Sequence, residues 1–279
     1  MKHRFSDFLG RAGLAFVLSA ALSVPAAASI DLPDDPAAKG KAIGEETEAR
    51  DLGFQDTEAE MRMILSNAFG DTSERELRMS TLERQGEEVG DWSRIVFDEP
   101  KDVEGTALLT HARILDPDDQ WMFLPKLKRV KRISSANKSG PFMGSEFAFE
   151  DFSAQEPGKY DHLWLRDEAC PDPVADRICH VTERRPLYEN SGYTRQHVWT
   201  DTVDYQPRKI DYYDRKDSLL KTLLMTDYRL YSEKHWRAHD LFMENHQTKK
   251  NTRLTWSGFD FKTGLDENEF NKASLSRAR

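Results

Sequence analysis

The sequence predicts a mainly β protein: a strongly curved antiparallel sheet forming an incomplete β-barrel, with an N-terminal helix and a short helical lid. Three observations predict it. From residue 59 onward, apolar and polar residues alternate in many short runs. Turn chemistry, not helical segments, separates those runs, which argues against a parallel βα architecture. Hydrophobic residues make up 38% of the chain and charged ones 32%, enough apolar surface for one sheet face and its cover but not for thick layers on both sides. A sheet with this many strands curls, and half-closing into a barrel is the usual solution.

The chain starts with a basic region (Lys2, His3, Arg4, with Arg11 further on), an apolar stretch over residues 13–24, and Ala26-Ala27-Ala28. That is the anatomy of a secretory signal peptide, with cleavage expected near Ala28. The stretch is shorter than the ~20 apolar residues that cross a bilayer. Residues 29–279 are then expected to form one mature domain, working in the periplasm. Losing three cations (Lys2, Arg4, Arg11) and one carboxylate (Asp7) moves the formal charge from −9 to −11. Such an acidic molecule lacks the global basic surface that a nucleic-acid partner requires.

Asp35 and Pro36 read as the N-cap and first residue of a helix, and Gly53 as its terminator. Ala38, Ala42, Ala49 and Leu52 are expected on its buried face. The period then drops to two: Ala59, Met61, Met63 and Leu65 alternate with Glu60, Arg62 and Ser66, although Ile64 breaks the polar set. Asn67, Gly70 and Asp71 turn the chain into a strand around Leu77 and Met79. Further strands are expected at 92–98, 106–115, 120–124, 160–166, 178–184, 193–201, 208–213, 219–230, 235–245 and 251–259. Residues 142–152, rich in Phe and Met, interrupt the series as a short helix or lid laid across the sheet.

Cys170 and Cys179 are the only cysteines and close a short Pro-containing loop. In an oxidising compartment that arrangement predicts a disulfide clip, whereas redox catalysis would need a C-x-x-C spacing. No metal, nucleotide or nucleophile motif is present, and no cofactor, metal or catalytic residue is expected. His235 and His239, four apart, could share a strand face, but a third ligand at recognisable spacing is missing and solvent-facing histidines are the expectation.

The most informative stretch is residues 120–152. An apolar strand containing Trp121 and Phe123 stands beside a basic run, Lys126, Lys128, Arg129, Lys131 and Arg132, followed by Phe142, Met143, Phe147 and Phe149. The basic run suits anionic lipid headgroups or an acidic partner surface; it equally suits a solvated strand face with Leu127, Val130 and Ile133 buried beneath it. The aromatic segment is either core or the adaptable roof of an apolar pocket. Trp164 and Trp199 join the candidate cavity residues.

On Trp121 to Pro125 with its basic tail, Gly140-Pro141-Phe142-Met143-Gly144-Ser145, Phe149-Glu150-Asp151, Arg50-Asp51-Leu52-Gly53-Phe54 and Tyr205-x-Pro207-x-Lys209, the chain resembles the outer-membrane lipoprotein-sorting (LolA-like) periplasmic proteins. The likeness is to the branch associated with exporters of the resistance-nodulation-division (RND) type. It implies a non-enzymatic carrier that holds lipid or lipidated protein in an apolar cavity, with an inner-membrane exporter as partner and transient membrane contact. A non-catalytic interaction subunit of such an exporter is the alternative.

Overall fold

The computed structural model describes residues 30–86 and 88–277; the signal-peptide reading lies outside them. Helix α1 (Pro36–Asp51) begins as predicted, with the Asp35 side chain accepting from the Ala38 N–H at 2.8 Å and Pro36 in the first turn. Thirteen strands follow: β1 (Asp56–Ser66), β2 (Thr72–Leu82), β3 (Val89–Glu99), β4 (Ala107–Arg113), β5 (Asp119–Leu124), β6 (Arg129–Ile133), β7 (Tyr160–Ala169), β8 (Ile178–Pro186), β9 (Arg195–Asp201), β10 (Pro207–Tyr213), β11 (Leu219–Tyr231), β12 (His235–Asn245) and β13 (Asn251–Phe261). A short helix α2 (Lys272–Leu275) closes the series.

All thirteen strands form one antiparallel sheet, ordered β6-β5-β4-β3-β2-β1-β13-β12-β11-β10-β9-β8-β7. Every neighbour is a sequence neighbour except one: β13 returns to pair with β1, joining the two meanders. The free edges are therefore β6 and β7, and the barrel stays open between them. Register shifts in β1, β3, β7 and β10 mark bulges, which add local twist and help a wide sheet to curl. Residues 134–159 connect the two edges.

Alternation sorts the side chains onto two faces. One face carries Met61, Leu77, Phe97, Leu108, Met122, Val198, Ile210, Leu223, Met243 and Leu254, which form the main core with Phe142 and Phe147 of the connecting segment. The opposite face holds two smaller clusters. Val96, Leu109 and Trp121 are covered by Phe270 and Leu275, and Val181 and Trp199 pack on the Cys170–Cys179 disulfide, which is present as expected.

Three expectations are corrected. The buried positions of α1 are Gly40 and Ile43, while Ala38, Ala49 and Leu52 are exposed. The helix packs on β7 through its smallest residues: a Cβ on Gly40 would stand 2.7 Å from the Trp164 backbone nitrogen. The basic run spans the Pro125–Leu127 turn and the edge strand β6; of the three apolar residues that one of its two readings buries, Leu127 and Val130 are exposed and only Ile133 packs on the core. His235 and His239 face the interior; His235 stacks on Phe261, and His239 lies 3.0 Å from the Trp256 carbonyl and 2.8 Å from the Tyr231 hydroxyl.

Candidate functional site: a cavity under the N-terminal helix

The segment read as a lid consists of short 3-10 turns at Phe142–Gly144 and Phe149–Phe152. Phe142 is 0% and Phe147 3% exposed; Phe142 packs on Phe97, Phe149 and Phe152. Buried polar groups pin the segment. Lys221 on β11 donates to Asp151 at 2.7 Å and to the Glu146 carbonyl at 2.8 Å, and Asp151 also accepts from the Tyr193 hydroxyl. Glu150 accepts from the Gly192 N–H and the Ser191 and Tyr188 hydroxyls, and burial pushes its carboxyl up. Lys159 pairs with Asp118 at 2.9 Å, both buried. A segment held by buried ion pairs acts as a plug in the curved sheet, since separating any of these pairs would strand a charge in an apolar setting.

A hollow remains beside the plug. Between α1 and the strands β8–β11 lies a cavity of about 430 Å³, within the ~300–1,000 Å³ range of ligand sites. Its floor is one cross-strand row. Thr182 pairs with Val198, Val198 with Ile210, and Ile210 with Leu223, so consecutive strands place these side chains side by side. Tyr212 and Met225 extend the floor, and Ile43 and Phe54 supply apolar wall from the helix side.

Six carboxylates also line it, Glu48 and Asp51 from α1, Glu83, Asp91 from β3, Asp151 and Glu156, with Arg84, His162 and Arg184 among them. Burial first, then a hydrogen bond and like charge from Glu156, with further like charge from Asp91 and Glu45, push the Glu48 carboxyl up to about 8. Burial pushes Asp91 up to about 7 despite the Arg84 N–H that it accepts, with Glu156, Glu83 and Asp51 adding like charge. The nearby cations are engaged elsewhere: Arg84 pairs with Glu267 and stacks on Trp92, and Arg184 donates to Gln196 at 2.6 Å. Burial lowers His162, whose Nε2 lies 2.9 Å from the Pro157 carbonyl. Among the described residues no group of three or more His, Cys, Asp and Glu is placed to hold a metal ion.

None of the eight residues named from sequence as cavity or lid candidates borders this cavity. Phe142, Met143, Phe147 and Phe149 belong to the plug. Trp121 and Phe123 pack on the opposite face of the sheet, as does Trp199. Trp164 lies under Lys39 Nζ at 3.8 Å and donates to Asp167. The five basic residues share the β5–β6 hairpin and stand apart from the cavity. Alternation marks Val198, Ile210 and Leu223 as inward aliphatics, but it carries no signal that a cavity borders them.

A half-barrel with a helix laid over a partly apolar hollow is an open curved-sheet fold with room for a ligand. A family profile described as "Uncharacterized protein" matches residues 90–277. The crystal structure of an outer membrane lipoprotein-sorting protein domain from Vibrio parahaemolyticus is 50% identical, with TM-score 0.82 over 86% of this chain and 100% of that one. A DUF1329 family protein from Desulfovibrio piger ATCC 29098 is 27% identical, with TM-score 0.79 over 86% and 99%. A LolA superfamily protein from Nitrosomonas europaea shares the fold at 20% identity, with TM-score 0.66 over 84% and 98%. Curated proteins give no match. The chain belongs to the family of the outer membrane lipoprotein-sorting protein domain from Vibrio parahaemolyticus.

Proposed function

We propose that this protein is a non-catalytic periplasmic carrier that shelters an acyl chain of a lipid or lipidated protein in the cavity under α1. The observation that carries the reading is the buried aliphatic row Val198–Ile210–Leu223 that lines the cavity beneath a helix seated on glycines. Apolar surface left facing a hollow is costly in water, and each methylene buried there contributes ~0.8 kcal/mol, so a dry cavity suffices without a reactive group. The family membership and the basic, Ala-terminated N-terminal sequence support the location. The likeness of residues 121–151 to the exporter-associated branch supports delivery to or from an inner-membrane exporter of the RND type.

Native mass spectrometry and lipid extraction of gently purified protein test the carrier reading. Wild type is expected to retain an acyl-chain ligand. Val198→Trp and Leu223→Trp each fill the floor; excluding two methylenes costs about 1.6 kcal/mol, more than tenfold in occupancy. Full ligand retention in both folded variants would place the cargo elsewhere.

A further inference from the structure

The β5–β6 hairpin concentrates positive charge. The chain has 49 carboxylates for 40 Lys and Arg, and many cations elsewhere are paired: Arg62, Arg78, Arg195, Arg208 and Arg253 each face a carboxylate. At the hairpin, Arg132 pairs with Asp119 at 2.5 Å, while Lys126, Lys128, Arg129 and Lys131 have no ion-pair partner among the described residues. These four cations sit within six residues, on a turn (Pro125–Leu127) and the strand that follows it. The register places Arg129 and Lys131 opposite Leu124 and Met122, and Val130 and Arg132 opposite Phe123 and Trp121, so charge emerges on both faces of β6 and at its tip. Two apolar side chains lie among the cations, Leu127 at 54% and Val130 at 36% exposure. Lys128 ends the turn in the left-handed region, at φ 48.

We propose that this hairpin docks the protein on an anionic bilayer surface, with the cations among the headgroups and Leu127 entering the interface. Charge complementarity selects an anionic partner, and the geometry favours a bilayer over an acidic peptide strand. A strand added to the free edge of β6 would satisfy its backbone and meet side chains only in alternation, leaving the lysines of the tip unused. A bilayer surface meets the tip and both faces together, and it accepts an apolar side chain flanked by lysines. The unpaired cations also keep the edge from pairing with other sheets, a role that needs charge but not the exposed leucine. The proposal is independent of what the cavity carries, since residues 126–132 do not line it.

Cosedimentation of the full protein with vesicles tests it. Binding is expected to phosphatidylglycerol-containing vesicles and not to pure phosphatidylcholine, and it should fall away as salt rises to about 0.5 M. The Lys128→Glu/Arg129→Glu/Lys131→Glu variant should partition at least about 100-fold more weakly, since each cation near a charged surface contributes about fivefold. The Gln set at the same positions, which removes the charge without reversing it, should weaken binding in the same direction and guards against misfolding of the reversed variant. Leu127→Ser should weaken binding several-fold with the salt dependence kept. Absence of binding to anionic vesicles, or wild-type binding by the Gln set, overturns the proposal. Displacement of vesicle binding by polyglutamate, with Leu127→Ser neutral, would also overturn it and point to an acidic protein. Ligand retention in the cavity is measured on the same samples, so a failed dock and a failed carrier are told apart.

Discussion

Lys221 and Asp151 join β11 to the plug through a 2.7 Å contact buried on both sides. Removing one partner leaves the other charge stranded, at about 3–5 kcal/mol, whereas replacing both with apolar residues is far less damaging. Urea unfolding should therefore show Lys221→Ala destabilised by that amount and Lys221→Met/Asp151→Leu by much less; equal losses would mean that the charges are solvated. From sequence, a lysine in an alternating strand reads as solvent-facing, because its partner lies 70 residues away. At the cavity mouth, Glu48 and Asp91 keep protons in the folded protein that the unfolded chain releases near 4.5 and 3.8. Their contribution to stability is complete below those values and is lost as pH rises through about 7 to 8. Partial exposure of Glu48 screens the effect. Melting curves from pH 5 to pH 8.5 should lose roughly 2–4 °C, equivalent to about 1 kcal/mol in a domain of this size. Glu48→Gln should flatten that slope, and an unchanged slope would remove Glu48 as its source.

At the scale of elements, α1 shows how a close approach replaces an amphipathic face. Its caps are legible in Asp35, Pro36 and Gly53, and its length follows from them. Its buried side is set by how near β7 comes, which explains why Gly40 is buried and Ala49 is not. At an exposed helical site, Gly→Ala gains about 1 kcal/mol of helix propensity. At Gly40 a methyl would meet the Leu163–Trp164 backbone at 2.7–2.9 Å, and overpacking of that kind costs about 1–3 kcal/mol. Gly40→Ala should thus lower the melting temperature and raise uptake of an apolar dye as the helix lifts from the cavity; a stabilised variant would show that the helix is not seated there. The Phe/Met segment gives the opposite lesson. Its composition was readable, yet Phe142 and Phe149 fill the core because the polar groups around them anchor the segment.

For the whole molecule, the thirteen hydrogen-bonded strands pair with their sequence neighbours in every case but one, and hairpin spacing alone revealed nearly all of these pairings. The exception is β13 on β1, whose partner residues are about two hundred positions apart, from Thr57–Phe261 to Ser66–Asn251. That single long-range pairing merges two meanders into one half-barrel and leaves β6 and β7 as its lips. The same opening exposes the basic edge at β6 and gives α1 its seat on β7, so the basic hairpin and the cavity under α1 both follow from where the sheet fails to close.

Composition, turn residues and period-two alternation by themselves determined an antiparallel curved sheet, a capped N-terminal helix and a Cys170–Cys179 clip, since each of these rests on residues within a few positions of one another. Tertiary structure alone decided that the hollow lies above Val198, Ile210 and Leu223 and that the aromatic segment is filling. Alternation says which side chains share a face; which part of that face borders a cavity depends on where distant segments come to rest, and the buried ion pairs and glycine contacts that fix those places form only in the folded chain.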